Sequence, residues 1–393
     1  QDVTVIGITG TKGKTTTTYM IKEILTAAGR KVGLIGTIEA IIGNEHIPSK
    51  NTTPESYEVQ EYLSRMRQIG IDTCVMEVSS QGLMMHRVDG IKFEIGIFTN
   101  IEPDHIGPGE HEDFDDYLSC KAKLFRKCKK GIFNADDEHL PAILATDKCE
   151  EVFFGFKDDA DYRACDVELY KEGGMLGVKY RVEGLLNFDV RVNVPGRFSV
   201  YNSLTAIAVC HHFGVEEEVM KRALLSARVK GRIELYPVSD KYSVMIDYAH
   251  NAMSLRSLLT TLREYQPKRI VTLFGCGGNR SKDRRYEMGE VSGDLSDLTI
   301  ITSDNPRFEE PQDIINDIKF GINKTSGEYV EIIDRKEAIR YAIENAKEGD
   351  VIVLAGKGHE DYQEIRGKKY PMDERVLLKE VMEELGMRSP AEA

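Results

Sequence analysis

The first hydrophobic run, residues 3–8, is rich in β-branched side chains and stops at glycine and threonine, the pattern of a buried strand. Residues 15–27 follow with Met20, Ile21, Ile24 and Leu25 at helical spacing and Gly29 as the stop. Strand, glycine-rich turn and helix in that order open an α/β domain. The rhythm continues with strand-like runs at 32–35, 73–78, 95–99 and 131–134 and helical spacing over 58–69 and 114–127. Such alternation predicts a mostly parallel sheet with helices on both faces. Residues 151–193 change character, with strand-like stretches at 152–156, 176–182 and 188–192 and few helix signals, and predict a small antiparallel appendage. A helical stretch, 202–212, leads to the basic, glycine-containing segment 228–234, the expected linker. Then the alternation restarts, with strands at 243–247, 269–274, 298–302 and 351–355. Helices are expected from Ser254, after Arg284, and over 338–346 and 374–385. The expected architecture is a P-loop-type α/β domain over 1–228 and a second, Rossmann-like α/β domain over 229–393.

At 393 residues the chain exceeds what one hydrophobic core usually supports, which agrees with two domains. A net charge of −13 argues against binding along a nucleic-acid backbone, though it leaves room for a local nucleotide site. No apolar run approaches a membrane span and no signal peptide opens the chain. Its seven cysteines are scattered without a CxxC pair, which reads as reduced thiols of a cytoplasmic protein.

The turn after the first strand reads Gly10-Thr11-Lys12-Gly13-Lys14-Thr15-Thr16. Glycines let successive amides point inward, the helix start adds positive potential, Lys14 can reach outer phosphates, and Thr15 offers a Mg²⁺ ligand. The spacing is shorter than the usual phosphate loop, with Ile8 where its first glycine is expected; the competing reading is a glycine-rich turn with incidental lysines. Glu77 ends a buried strand and emerges at the carboxyl edge of the sheet, suiting either a magnesium ligand or a solvated acid. Asp104 and His105 follow another strand and either join that site or form a surface turn. Periodicity makes Lys121 a solvated position on an amphipathic helix. In the second half, Phe274-Gly275-Cys276-Gly277-Gly278-Asn279-Arg280 runs into Lys282, Arg284 and Arg285, either an anion site or a solvated basic loop. Pro306 holds the turn that aims Arg307, whose planar fork suits a carboxylate. Gly356-Lys357-Gly358-His359-Glu360 ends a later strand in the same way.

Taken together with Thr52-Thr53-Pro54, Asn134-Ala135-Asp136-Asp137 and Asp247-Tyr248-Ala249-His250, these motifs occur in the order of the Mur ligases, and the whole chain resembles the MurE branch of that family. The resemblance implies an ATP- and Mg²⁺-dependent amide ligase of peptidoglycan precursor synthesis, expected to act as a monomer. ATP would activate the carboxylate of a UDP-muramoyl-dipeptide as an acyl-phosphate, and a diamino acid would displace phosphate. It further implies catalytic roles for Lys14, Glu77, His105 and Lys121. Thr15, Glu77, His105 and a carbamylated Lys121 would serve as metal ligands. Gly10 to Thr16, Asn134, Asp137, Asn202, Arg232, Asp247 and His250 would lie around the nucleotide. Thr52, Thr53, Ser79 and Arg87 would contact the muramoyl-dipeptide. The form Asp304-Asn305-Pro306-Arg307 is the one associated with meso-diaminopimelate; Arg307 with Arg280 would clamp its distal carboxylate, and Gly356 and Glu360 would hold the distal ammonium. The family normally carries an N-terminal domain that grips UDP, and the sequence, opening at Gln1 just before the first strand, is expected to lack it. Two other readings remain open: a folate-extending ligase of the same architecture, and a non-catalytic ATP-binding scaffold of cell-wall assembly.

Overall fold

In a computed structural model that describes residues 3–104, 106–107, 110–145 and 149–387, the chain divides into two units. The first holds residues up to 168 together with 178–192 and 197–227; the second holds 169–177, 193–196 and the chain from 228 onward. His105 lies outside the described residues.

The first unit is built on one sheet, whose strands Tyr162–Glu172 and Met175–Gly184 run at their shared end into the segment 169–177 of the second. Its strands are β1 (Thr4–Thr9), β2 (Val32–Ile35), β3 (Glu39–Ile42), β4 (Glu45–Pro48), β5 (Thr73–Glu77), β6 (Phe93–Phe98), β7 (Cys128–Asn134), β8 (Glu150–Gly155), β9 (Tyr162–Glu172), β10 (Met175–Gly184) and β11 (Phe188–Val192). Spatial order is β11-β10-β9-β8-β7-β6-β1-β5-β2-β3-β4. From β8 across to β2 every pairing is parallel, and the central strands β6, β1, β5 and β2 are buried on both faces, as their largely apolar runs demand, while β8 starts exposed. Helix α1 (Lys14–Ala27) lies on one face against α6 (Phe198–His212) and α7 (Glu217–Ser226), while α2 (Ser56–Gln68), the short α3 (Ser80–Met84), α4 (Phe114–Ala122) and α5 (Leu140–Leu144) complete the set. The mostly parallel sheet expected from the alternation is present, and the antiparallel segment continues it at one edge. The hairpin β3–β4 was missed because β4 is short and solvent-facing, and β9 because its outward positions are polar. The expected helix 114–127 tightens at Lys123–Arg126 into a 3₁₀ turn.

The second unit has strands β12 (Glu234–Tyr236), β13 (Ser243–Asp247), β14 (Arg269–Phe274), β15 (Leu298–Ile301), β16 (Tyr329–Glu331) and β17 (Asp350–Ala355), ordered β12-β13-β17-β14-β15-β16 and parallel except at β12. Leucine and isoleucine stripes of α8 (Ala252–Arg263) and α10 (Pro311–Ile322), with Met288 and Val291 of α9 (Lys282–Leu295), cover one face. On the other lie α11 (Arg335–Glu344) and α12 (Glu374–Glu384). A hairpin, β18 (Tyr362–Ile365) with β19 (Lys368–Pro371), follows β17. This is the second α/β domain that the alternation predicts, with the short edge strands β12 and β16, α10 and the hairpin unforeseen.

Arg335 fastens the carboxyl edge of this sheet from inside. Its guanidinium donates to the Ser303 carbonyl at 3.1 Å, the Ala355 carbonyl at 2.9 Å and Glu374 Oε1 at 2.9 Å, and both members of the ion pair are buried. Losing one member of such a pair strands a buried charge. Arg335→Met is expected to lower the second unit's stability by about 3–5 kcal/mol in urea unfolding. The double variant Arg335→Met/Glu374→Leu should recover most of that loss, and equal losses in both would refute the account.

Candidate active site

The loop after β1 passes the end of β6 at a distance that excludes any side chain. Gly10 has φ +149°, and a Cβ there would meet Thr99 Oγ1 at 1.9 Å. Thr99 and Asn100 clamp the loop, their Oγ1 and Nδ2 donating to the Lys12 carbonyl at 2.8 and 3.0 Å. Asn100 in turn accepts from the amides of Lys12 and Thr11, each at 2.9 Å. Thr11 Oγ1 is 3.0 Å from Tyr117 Oη, and Lys12 pairs with Glu102 at 2.6 Å. The amides of Lys14, Thr15 and Thr16 belong to the first turn of α1, where no helical carbonyl can reach them.

Two lysines converge on this bend. Lys14 Nζ donates to the carbonyls of Gly10 and Thr11 at 2.8 and 3.1 Å, and Lys121 Nζ donates to the same Gly10 carbonyl at 3.0 Å. The solvated position that periodicity assigned to Lys121 is overturned: the residue is 2% exposed, its ammonium 4.3 Å from the Tyr117 ring centre. Burial first, then the charge of Lys14, push its pKa well below the ordinary lysine range, favouring the neutral amine.

Glu77 is fully buried at the end of β5. Thr15 Oγ1 donates to its Oε2 at 3.0 Å, Thr37 Oγ1 to the same oxygen at 2.9 Å, and the Thr37 amide to Oε1 at 2.9 Å. Every one of these donors is neutral, so a buried carboxylate with a hydroxyl beside it has the hard-oxygen chemistry that Mg²⁺ selects.

The four residues expected to contact substrate come together next to this carboxylate. Thr53 Oγ1 donates to the Glu77 carbonyl at 3.0 Å and accepts from the Ser79 amide at 2.9 Å. Arg87 donates to the Thr53 carbonyl at 3.1 Å, and Thr52 Oγ1 is 3.0 Å from Thr37 Oγ1. A cavity of about 300 Å³ joins Thr52, Ser79 and Arg87 to Lys14 and Lys121 and is lined also by Lys50 and Tyr117. Lys14, Lys50 and Arg87, the last paired with Glu55 at 2.6 Å, join the Lys121 amine in its lining, which includes no carboxylate, the environment for a polyanion. Asn202 reaches the loop by accepting from Thr17 Oγ1 at 3.2 Å. Asn134 and Asp137 spend their side chains on the turn after β6, Asn134 Nδ2 on the Thr99 carbonyl at 2.7 Å and Asp137 on the Ile101 amide at 2.8 Å. Asn134 thus reaches the phosphate loop through Thr99, and Asp137 meets the chain two residues further on.

In the second unit the expected residues gather at the carboxyl edge of the sheet, where α/β folds place ligands. Gly278 packs so closely on the following turn that a Cβ would lie 1.9 Å from the Pro306 carbonyl oxygen. Arg307 Nη1 donates to the Gly278 carbonyl at 2.7 Å, and the exposed Arg280 borders the same glycine turn. Glu360 Oε2 accepts from Asn305 Nδ2 at 3.0 Å and from the fully buried Lys357 at 2.8 Å, while Asp304 stands 3.7 Å from Lys357. Gly356 faces Asp304 across 3.1 Å measured from where its Cβ would be. The basic loop reading fails for Arg285, which is buried and paired with Glu309 and Asp317 at 2.7 and 2.8 Å. Asp247 accepts from the Gly356 amide through its carbonyl at 3.0 Å, while its carboxylate, pushed upward in pKa by burial, accepts the Ile233 and Ala249 amides at 2.7 and 2.8 Å. It anchors the segment carrying Arg232, whose guanidinium lies 5.0 Å from the Tyr248 ring; His250 is exposed beside that ring.

Sequence reading passed over Thr37, Thr99, Asn100, Tyr117, Lys357 and Glu364. Thr99, Asn100 and Lys357 sit inside motifs that had been singled out, so their signal was present. Thr37 and Glu364 carry no local pattern and are found by contact alone.

Comparison with known proteins agrees with this layout. The family model described as Mur ligase middle domain matches residues 8–210, and that described as Mur ligase, glutamate ligase domain matches residues 231–358. A UDP-N-acetylmuramoyl-L-alanyl-D-glutamate--2,6-diaminopimelate ligase of Caldanaerobacter subterraneus subsp. tengcongensis is 44% identical over 97% of this chain and 78% of its own length. The protein of that name from Clostridioides difficile is 42% identical over 98% of this chain and 80% of its own length. A solved structure of a ligase with the same name superposes with a TM-score of 0.75 at 29% identity, covering 99% of this chain and 80% of that one. The fold is shared more widely: E. coli FolC in complex with ADP gives a TM-score of 0.63 at 18% identity, covering 98% of this chain and 89% of that one.

The Arg285 pair has a pH signature. Hydrogen bonds from Arg285 hold the Glu309 carboxyl at about 2, below its ordinary 4.5. A depressed carboxyl binds fewer protons folded than unfolded, so its contribution is complete above 4.5 and is lost as pH falls towards about 2. The unfolding midpoint of the native chain should therefore drop more steeply across that window than that of Glu309→Gln. Parallel curves would remove the pair from the stability account.

Proposed function

The chain belongs to the Mur ligase family, and on that premise we propose that it uses ATP to join meso-diaminopimelate to UDP-N-acetylmuramoyl-L-alanyl-D-glutamate, a step of peptidoglycan precursor synthesis. The observation that carries the reading is the cation-lined cavity of the first unit, which brings Lys14 of the phosphate loop and Lys121 to Thr52, Ser79 and Arg87. A free carboxylate is a poor acyl donor. Transfer of the γ-phosphoryl group to it releases ADP and gives an acyl-phosphate; attack by the amine forms a tetrahedral intermediate that expels phosphate. Lys14 would follow the charge on the phosphoryl group, and Arg87 and Ser79 would hold the carboxylate end of the acceptor. Mg²⁺, when bound by Thr15, Glu77, His105 and a carbamylated Lys121, would offset charge on the phosphates. A neutral Lys121 amine is the form that reacts with CO₂, which supports that modification.

Choice of amine is assigned to the second unit. Diaminopimelate ends in an ammonium and a carboxylate; Asp304 and Glu360 suit the first, Arg307 and Arg280 the second. The reaction belongs in the cytoplasm, where seven free cysteines stay reduced.

Incubation with ATP, UDP-muramoyl-dipeptide and a panel of amines, followed by product mass spectrometry, is expected to show a tripeptide carrying diaminopimelate. ATP binding without product for any amine would instead favour a scaffold. Arg307→Ala should lower kcat/KM for diaminopimelate by about 10–100-fold while leaving the KM for ATP in place. Lys121→Ala should lower kcat by roughly 10²–10³ with little change in either KM; a full-rate variant would take Lys121 out of the chemistry.

A further inference from the structure

Arg307 has φ +51°, an uncommon left-handed backbone for so long a side chain. One residue of β18 holds it there. The Glu364 carbonyl accepts from the Arg307 amide at 3.0 Å, and the Glu364 carboxylate accepts from Arg307 Nε at 3.1 Å. The Arg366 amide closes the bridge on the Arg307 carbonyl at 2.7 Å. On the other side of the turn, the Glu364 amide donates to Asn305 Oδ1 at 2.8 Å, fixing the amide so that Nδ2 meets Glu360. Amide, carbonyl and carboxylate of a single residue are thus committed to Asn305 and Arg307.

We propose that Glu364 is the positioning residue that sets the choice of amine; this rests on the diaminopimelate reading above and names the group that aims its arginine. A guanidinium has five N–H donors in a rigid fork. Glu364 takes Nε, and the Gly278 carbonyl takes Nη1 at 2.7 Å. Nη2 has no protein partner among the described residues, so its two N–H groups, beside the second of Nη1, are the donors left for a distal carboxylate. With both ends of the fork pinned, Arg307 meets that carboxylate already oriented and little rotamer entropy is lost on binding. An amine that lacks the distal carboxylate, such as lysine, gains nothing from the aimed donor. The carboxylate of Glu364 therefore favours one amine over the other without touching the reacting groups, and its backbone contacts persist in any side-chain variant.

The test uses the full chain with ATP and UDP-muramoyl-dipeptide. Glu364→Ala should raise the KM for diaminopimelate about 10-fold, leave the KM for ATP unchanged, and lower the diaminopimelate-to-lysine product ratio in a mixed incubation by a similar factor. Glu364→Gln, which keeps an acceptor for Nε, should recover most of both effects. An unaltered KM and product ratio in the Ala variant, or a matching rise in the KM for ATP, overturns the inference. A wild-type chain that takes no diaminopimelate overturns the amine assignment and this inference with it; a wild type that takes it beside an unaltered Ala variant overturns this inference alone.

Discussion

The site of the first unit depends on one carbonyl oxygen. At Gly10 the chain bends so tightly under Thr99 that the carbonyl is thrown towards two lysines, and Lys14 and Lys121 both donate to it. Everything around it follows from keeping two ammonium groups close together inside a protein. Thr99 and Asn100 fix the loop from one side, Tyr117 offers a ring face to Lys121, and the buried Glu77 balances positive charge from the next strand. Burial, and after it the neighbouring charge of Lys14, push the proton affinity of Lys121 down. A lysine brought to neutrality in this way is a nucleophile for CO₂ and, once carbamylated, a ligand; solvent exposure would have kept it an ordinary cation.

The second unit solves a different electrostatic problem with the same topology. Its strand ends also converge, yet the charges that gather there come in opposed pairs: Lys357 with Asp304 and Glu360, Arg285 with Glu309 and Asp317, Arg307 with Glu364, Arg335 with Glu374. Buried and half-buried pairs of this kind contribute modestly to stability and strongly to geometry, because each partner can sit well in one place only. Arg335 ties the ends of β15 and β17, and so fixes the spacing between the Asp304 turn and the Gly356 turn. Lys357 and Asn305 share one oxygen of Glu360, which orients its other oxygen.

How much of this was readable in the sequence depended on whether the chemistry is local. The loop 10–16, the strand-end acid Glu77 and the turn at Arg307 are contiguous words whose meaning comes from a strand before and a turn or helix after, and alternation places those elements. Lys121 shows the limit. Helical periodicity describes one face of α4 against the sheet and cannot tell that the polar face lies under another loop, so burial came from tertiary placement alone. Thr37 and Glu364 show the same limit: one meets Glu77 from forty positions away and the other meets Arg307 from fifty-seven. The family resemblance recovered Lys121 because it carries tertiary information that periodicity lacks, and it was silent on Thr37 and Glu364.

The contrast between the two units also bears on what each binds. A cavity lined by Lys14, Lys50 and Arg87 with no acid among its lining residues, Glu55 meeting Arg87 at 2.6 Å from outside that lining, carries a positive field that favours a polyanion over a zwitterion. A surface where Lys357, Arg285, Arg307 and Arg335 each already have a carboxylate carries alternating potentials, which discriminate by the position of charge more than by its amount. Phosphates with an acceptor carboxylate match the first, and a residue ending in both ammonium and carboxylate matches the second. Had the assignments been exchanged, a zwitterion would have left the lysines of the first unit facing one another, and a polyanion would have had to displace Glu364, Glu360 and Asp304 from their partners. The distribution of charge thus agrees with the proposed order of the two substrates on the fold.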